Sequence, residues 1–397
     1  MIEKIRKSFN QSFKQESYVA MLDEISHAYP NALEFRIAET PIFIPKVLTD
    51  QMVNACNFII DFIKSSDFKS YTNQSIPKDE FIKNENTHPH FIAFDFGICK
   101  NEGNELYPAL IEMQGFPSIF GFQAFHPEIV EKHFNIQEGL DHYFNGFNKE
   151  TYIEELRKLI VGEHDPKDVI LLELNPQEQK TRIDFYCTET YLGIKSVCLT
   201  ELRIENNNIY YTLNGIKTQV KRIYNRIIFD DLKNTKNTLN DLPDLHGDLN
   251  VEWIGHPNWF YRISKYTLPF LKHPNIPETY FLNEIKQIPT NLEEYVLKPL
   301  FSYAGQGVII DLTEADLINI EDPENWILQR KVNYADCIET PDGLAKTEIR
   351  LMYTWKDGDD NPTLLTNLAR ISKGKMIGTR YNDNNTWVGG TVAYIES

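Results

Sequence analysis

The chain has 397 residues, 42% of them hydrophobic and 12% aromatic, which excludes a disordered polymer or one small module; at roughly 150 residues per domain, two or three domains are expected. Lys and Arg number 40 against 57 Asp and Glu, a formal charge of −17. A phosphate backbone or anionic leaflet is therefore repelled, and neither nucleic acid nor a membrane surface is an expected partner, whereas a nucleotide with a divalent ion stays compatible.

Cys56, Cys99, Cys187, Cys198 and Cys337 form no C-x-x-C pair, which suits reduced thiols. The start, Met1-Ile-Glu-Lys-Ile-Arg-Lys-Ser8, has no apolar stretch, and no later run nears the ~18 apolar residues of a membrane helix. A soluble, cytoplasmic globule is the expectation.

In chain order, the first 80 residues read as helical around an extended segment at 40–45, with apolar residues at helical spacing over 51–65 behind Thr49 and Asp50 as caps. Phe91-Ile-Ala-Phe-Asp-Phe-Gly97 and Tyr107-Pro-Ala-Leu-Ile-Glu-Met-Gln114 predict a hairpin about the turn at 101–104. From 168, strand 169–174, helix 177–192 and strand 194–199 predict a βαβ unit that continues through 208–211 and 221–228. A boundary falls near 260, followed by a helix at 264–272 and then β-rich stretches with turns at 357–360 and 372–375. The polar stretches 230–250, 356–362 and 382–386 read as loops.

The segment Glu294-Tyr-Val-Leu-Lys298-Pro-Leu-Phe-Ser302-Tyr303-Ala304-Gly305-Gln306-Gly307 carries the most chemistry. A strand delivers a lysine and a Gly/Ser loop follows, whose backbone N–H groups can approach phosphate oxygens. It is not a P-loop, and taken alone it is an ordinary hairpin. Before it stands Lys265 at the entry to a helix, and after it an apolar strand ending in Gln329, Arg330, Lys331 and Val332, whose backbone can read an adenine edge.

This order of lysine helix, lysine strand, glycine loop and hinge strand resembles the ATP-grasp superfamily. The front hairpin, with Asp95 and Glu112-Met-Gln114, resembles the metal hairpin of its circularly permuted members, the glutathionylspermidine synthase-like carboxylate–amine ligases. The resemblance implies α/β with α+β lobes: residues 1–165 with the metal hairpin, 166–260 as a βαβ pre-ATP-grasp domain, and 261–397 as the nucleotide lobe. It implies ATP bound by Lys265, Lys298, the 302–307 loop and 329–332, and Mg2+ held by Asp95, Glu112 and Gln114. Arg350, Arg370 and Arg226 are then anion-binding catalytic candidates, and the substrates are a small or peptide carboxylate and an amine.

Independently of the resemblance, Glu112 and Gln114 are two apart on a strand and so share a face, where a hard cation can meet both oxygens. For isolated acids the plain alternative is a surface or capping role, and for each arginine a salt bridge. His88 and His90 lack further ligands at zinc spacing and read as loop or cleft residues. Two features depart from the family pattern: Gln114 replaces an Asn, and Ala93 replaces an Arg. The second departure supports the competing class, a non-catalytic nucleotide-binding scaffold or sensor; a phosphohistidine-using phosphotransferase is a third.

Overall fold

Alternation along residues 91–100 divides that strand into two faces: Ile92, Phe94, Phe96 and Ile98 are fully buried in an apolar core, while Ala93, Asp95 and Gly97 turn the other way. The computed structural model describes residues 1–229, 232, 242–301, 307–374, 377, 382 and 384–396. Among these, Phe91–Lys100 and Leu106–Gln114 form the expected hairpin, and Phe91–Lys100 also pairs antiparallel with Gly343–Thr354. That strand continues to Thr363–Ser372 and then Gly389–Thr391, with Ile338–Thr340 beside its start, so front and rear of the chain build one six-stranded sheet.

The helix Lys46–Lys64 covers the apolar face of this sheet. Leu48, Met52, Ala55, Cys56, Ile59, Ile60 and Ile63 recur at helical spacing and are all buried against it. Each large side chain so buried contributes about 1.5–3 kcal/mol. The helix begins at Lys46, behind an extended Pro45, and not at 51; Thr49 and Asp50 lie inside it, because the apolar stripe reaches back to Leu48.

Four parallel strands form a second sheet in the order Glu252–Ile254, Arg222–Asn225, Val169–Glu173, Lys195–Cys198. The βαβ helix is Arg182–Leu192 alone, since Asn175 is left-handed and Gln179 extended; Gly193, at φ 76°, ends it as a left-handed C-terminal glycine. Asn208–Leu213 does not join this sheet. It forms a separate antiparallel meander with Arg203–Glu205 and Ile216–Val220. The cause is two tight two-residue turns, Asn206-Asn207 and Asn214-Gly215, all at positive φ.

A third sheet, Thr279–Phe281, Trp326–Arg330 and Tyr295–Pro299, carries Lys298 and Gln329. The helix expected at 264–272 is a 3-10 helix, Lys265–Phe270, started by the Ser264 hydroxyl accepting from the Tyr266 N–H and holding Pro269, which cannot donate an α-helical bond. Near the chain ends, Ile42–Ile44 and Ala393–Glu396 pair in parallel. No helix among the described residues is long and apolar enough to cross a membrane, and all five cysteines are unpaired.

Candidate functional site

Directly opposed residues of antiparallel strands project from the same face. Glu112 lies across from Asp95, Asp95 from Arg350, and Glu348 from Arg370. The pattern that buries Phe94, Phe96, Ile349 and Leu351 on the helix side therefore gathers acids and bases on the other, between strands whose charged residues are 255 positions apart.

The arginine–carboxylate geometry there is close. Arg350 grips Asp95 with two bonds, Nε to Oδ1 at 2.5 Å and Nη2 to Oδ2 at 2.6 Å, and its Nη1 donates to Ser118 Oγ at 2.6 Å. Arg370 Nη2 bridges Asp95 Oδ2 at 2.9 Å and Glu348 Oε2 at 2.8 Å, while the Tyr334 hydroxyl donates to Glu348. Burial raises the Asp95 carboxyl, but Arg350 and Arg370 outweigh it and hold the group below the ordinary range. For Glu348 burial wins over Arg370 and the shift is upward. Glu348 and Tyr334 were not singled out in the sequence; an acid two residues before Arg350 on a strand was the available signal.

The lysines approach from the third sheet and from the 3-10 helix Lys265–Phe270. Lys298 Nζ donates to the Ile111 carbonyl at 3.3 Å and to Gln329 Oε1 at 2.6 Å, and Gln329 Nε2 donates to Thr279 Oγ1 at 3.1 Å. Lys265 Nζ lies 4.0 Å from Glu112 Oε2. Burial, and then the neighbouring Lys265, push Lys298 down to about 8; burial likewise lowers Lys265, against the pull of Glu112. Among the described residues, Lys265, Lys298, Arg350 and Arg370 stand with the acids Asp95, Glu112 and Glu348, in a site whose lysines are buried while Arg370 and Glu112 keep part of their surface exposed.

Lys265, Lys298, Gln329, Glu112, Asp95, Arg350 and Arg370 therefore come together. Gln114 lies across from Ala93 on the same face, its amide donating at 3.5 Å to the Phe116 carbonyl. The backbone N–H groups of Arg330 and Lys331 are engaged by the carbonyls of Glu278 and Glu294, and the Arg330 side chain pairs with Glu294 at 2.5 Å, so of 329–332 it is Gln329 whose side chain meets Lys298. Val332 follows that strand. Ser302, Tyr303, Ala304, Gly305 and Gln306 lie outside the described residues. Gly307, at φ 73°, follows them, and Leu297 and Ile309 exchange backbone bonds across the loop's base. Arg226 is held elsewhere, by Asp184 on the βαβ helix and over the Phe185 ring.

The donor set fits Mg2+ in part. No three His, Cys, Asp or Glu among the described residues converge as a metal cage, but Mg2+ takes only one or two protein oxygens beside phosphates. Glu112, with its side chain 24% exposed and its nearest cation among the described residues 4.0 Å away, fits that use; Asp95, with both oxygens engaged by guanidinium groups, does not.

No family model and no curated protein matches the chain. Among solved structures, it is similar to a glutathione synthetase like-effector (GSS30) from Globodera pallida in apoform, with TM-score 0.58 and 12% identity over 97% of this chain and 98% of that one. The chain shares that fold. At this identity the likeness extends to architecture, and the side chains above have to be argued from their own geometry.

Proposed function

We propose that the protein is an ATP- and Mg2+-dependent ligase that joins a small or peptide carboxylate to an amine through an acyl phosphate, releasing ADP and phosphate. The observation that carries this reading is the buried, cation-rich cleft in which Lys298, Lys265 and Glu112 meet Arg350 and Arg370. The lysines would neutralise phosphates and Gln329 would orient Lys298. Glu112 and Gln114 would hold the cation, which when bound polarises phosphate oxygens. The arginines would meet charge that develops on the transferring group. The permuted order of hairpin and lobe, the division at 165 and 260, the 302–307 loop as phosphate cover and a cytoplasmic setting belong to the same proposal; Arg226 is assigned to structure.

A second reading, a nucleotide-binding scaffold without turnover, has its own support: Ala93 supplies no cation, and Asp95 and Glu348 already engage both arginines. A screen for ADP release over amino acids, short peptides and polyamines, with Glu112→Gln alongside, separates them. Turnover with some acid–amine pair, lost in the variant, is expected for the ligase. Tight Mg·ATP binding without turnover across the screen overturns the ligase and leaves the scaffold.

A further inference from the structure

Resting on the nucleotide reading above, we propose that Asp95 is not a cation ligand but the positioning residue of a two-arginine clamp, aiming Arg350 and Arg370 at the terminal phosphate of a bound nucleoside triphosphate. The Asp95 side chain is 4% exposed, so water does not compete for it, and its two oxygens accept three guanidinium bonds. A two-bonded fork fixes the plane of a guanidinium as well as its distance. Arg350 is fixed at a further corner by Ser118, while Glu348, itself held by Tyr334, meets the same Nη2 of Arg370 that reaches Asp95.

A divalent cation placed on Asp95 would stand against two guanidinium groups at hydrogen-bond range, whereas at Glu112 the nearest cation among the described residues is Lys265, at 4.0 Å. Asp95 sits one strand spacing, about 4.8 Å, inward from Glu112. A phosphate chain that starts at the lysines and crosses Glu112 therefore ends at the arginines. Arg370, with its side chain 34% exposed, keeps donors open to that end. The arrangement also gives Ala93 a reason: Arg350, across from Asp95, serves this face from the adjacent strand.

Side-chain 15N spectra of arginine in the nucleotide-free chain test the positioning directly. Asp95→Asn is expected to broaden the Nε–Hε signals of Arg350 and Arg370 while leaving those of Arg226 and Arg262, which are held by Asp184 and Glu85. In Mg2+, the preference for a β,γ-imido triphosphate over ADP is expected to fall about tenfold in Asp95→Asn and in Arg350→Lys. Asp95→Glu should restore part of it, and the half-saturating Mg2+ concentration should stay constant. Unchanged arginine signals in Asp95→Asn, an equal loss of both nucleotides, or a shift in Mg2+ requirement like that of Glu112→Gln overturns the proposal. If the wild-type chain binds neither nucleotide, the ligase and scaffold readings fail together, and the arginine spectra still decide the role of Asp95.

Discussion

Two buried arginine–aspartate contacts in this molecule have opposite characters. In the βαβ unit, Arg226 meets Asp184, which also accepts the Phe122 N–H at 2.9 Å: one cation and one anion, closed beneath Phe185 and Tyr224. On the six-stranded sheet, Asp95 serves two arginines at once, and two lysines stand beyond it with Glu112 between. Burial raises the Asp184 carboxyl and Arg226 only partly offsets it, whereas at Asp95 the two arginines outweigh burial. A balanced pair locks one element onto another. On the proposed function, the row of cations around Asp95 serves to receive an anion.

The comparison breaks if the two sites respond alike, and the largest contrast should come from Asp184. Asp184→Ala strands a buried guanidinium and should lower stability by about 3–5 kcal/mol in a denaturant titration, with no selective change between triphosphate and diphosphate. Lys298→Met should do the reverse. Calorimetry should show Mg·ATP affinity reduced by about a hundredfold, close to 2.7 kcal/mol, while the thermal midpoint does not fall, because the native lysine is a desolvated cation whose hydrogen bonds go to neutral oxygens at the Ile111 carbonyl and Gln329, and for which burial outweighs the pull of Glu112 and Glu348. A midpoint that drops as far as in Asp184→Ala would make Lys298 structural and erase the distinction.

Gly97 sharpens the contrast from the scaffold side. A Cβ there would stand 2.6 Å from Tyr334 Cε1, so Gly97→Ala should displace the ring that holds Glu348 and cost about 1–3 kcal/mol, measurable as an earlier denaturant midpoint together with a weaker triphosphate preference. The smallest effect is in pH. The Lys298 ammonium is pushed down to about 8 from an ordinary 10.5; as pH rises through 8 the free protein loses this charge, so anion affinity should fall, by at most about tenfold per unit. Lys298→Arg, which stays charged, should flatten the profile. A wild-type profile flat from pH 7 to 9.5 would remove Lys298 from the anion site.

Local pattern was enough for the hairpin at 91–114 and the βαβ unit, since alternation and short turns act between neighbours. It also marked Lys298 on its strand, and Glu112 with Gln114 on one face. It failed where a local stop signal was overlooked, as at Asn206-Asn207 and Asn214-Gly215, whose positive φ values fold 203–220 into its own meander, and at Pro269, which leaves a 3-10 helix. What no local pattern contains is register between distant strands. Whether Asp95 faces a metal or a guanidinium depends on Arg350 standing opposite it and not one residue along, since a single-residue slip would turn every charge on Gly343–Thr354 into the apolar core. The amino-acid sequence by itself determined which side chains were available and to which face of its own strand each belonged. Only the tertiary structure decided which charges became neighbours, because pairing across 255 residues is set by burying Phe94, Phe96, Ile349 and Leu351 beneath one helix.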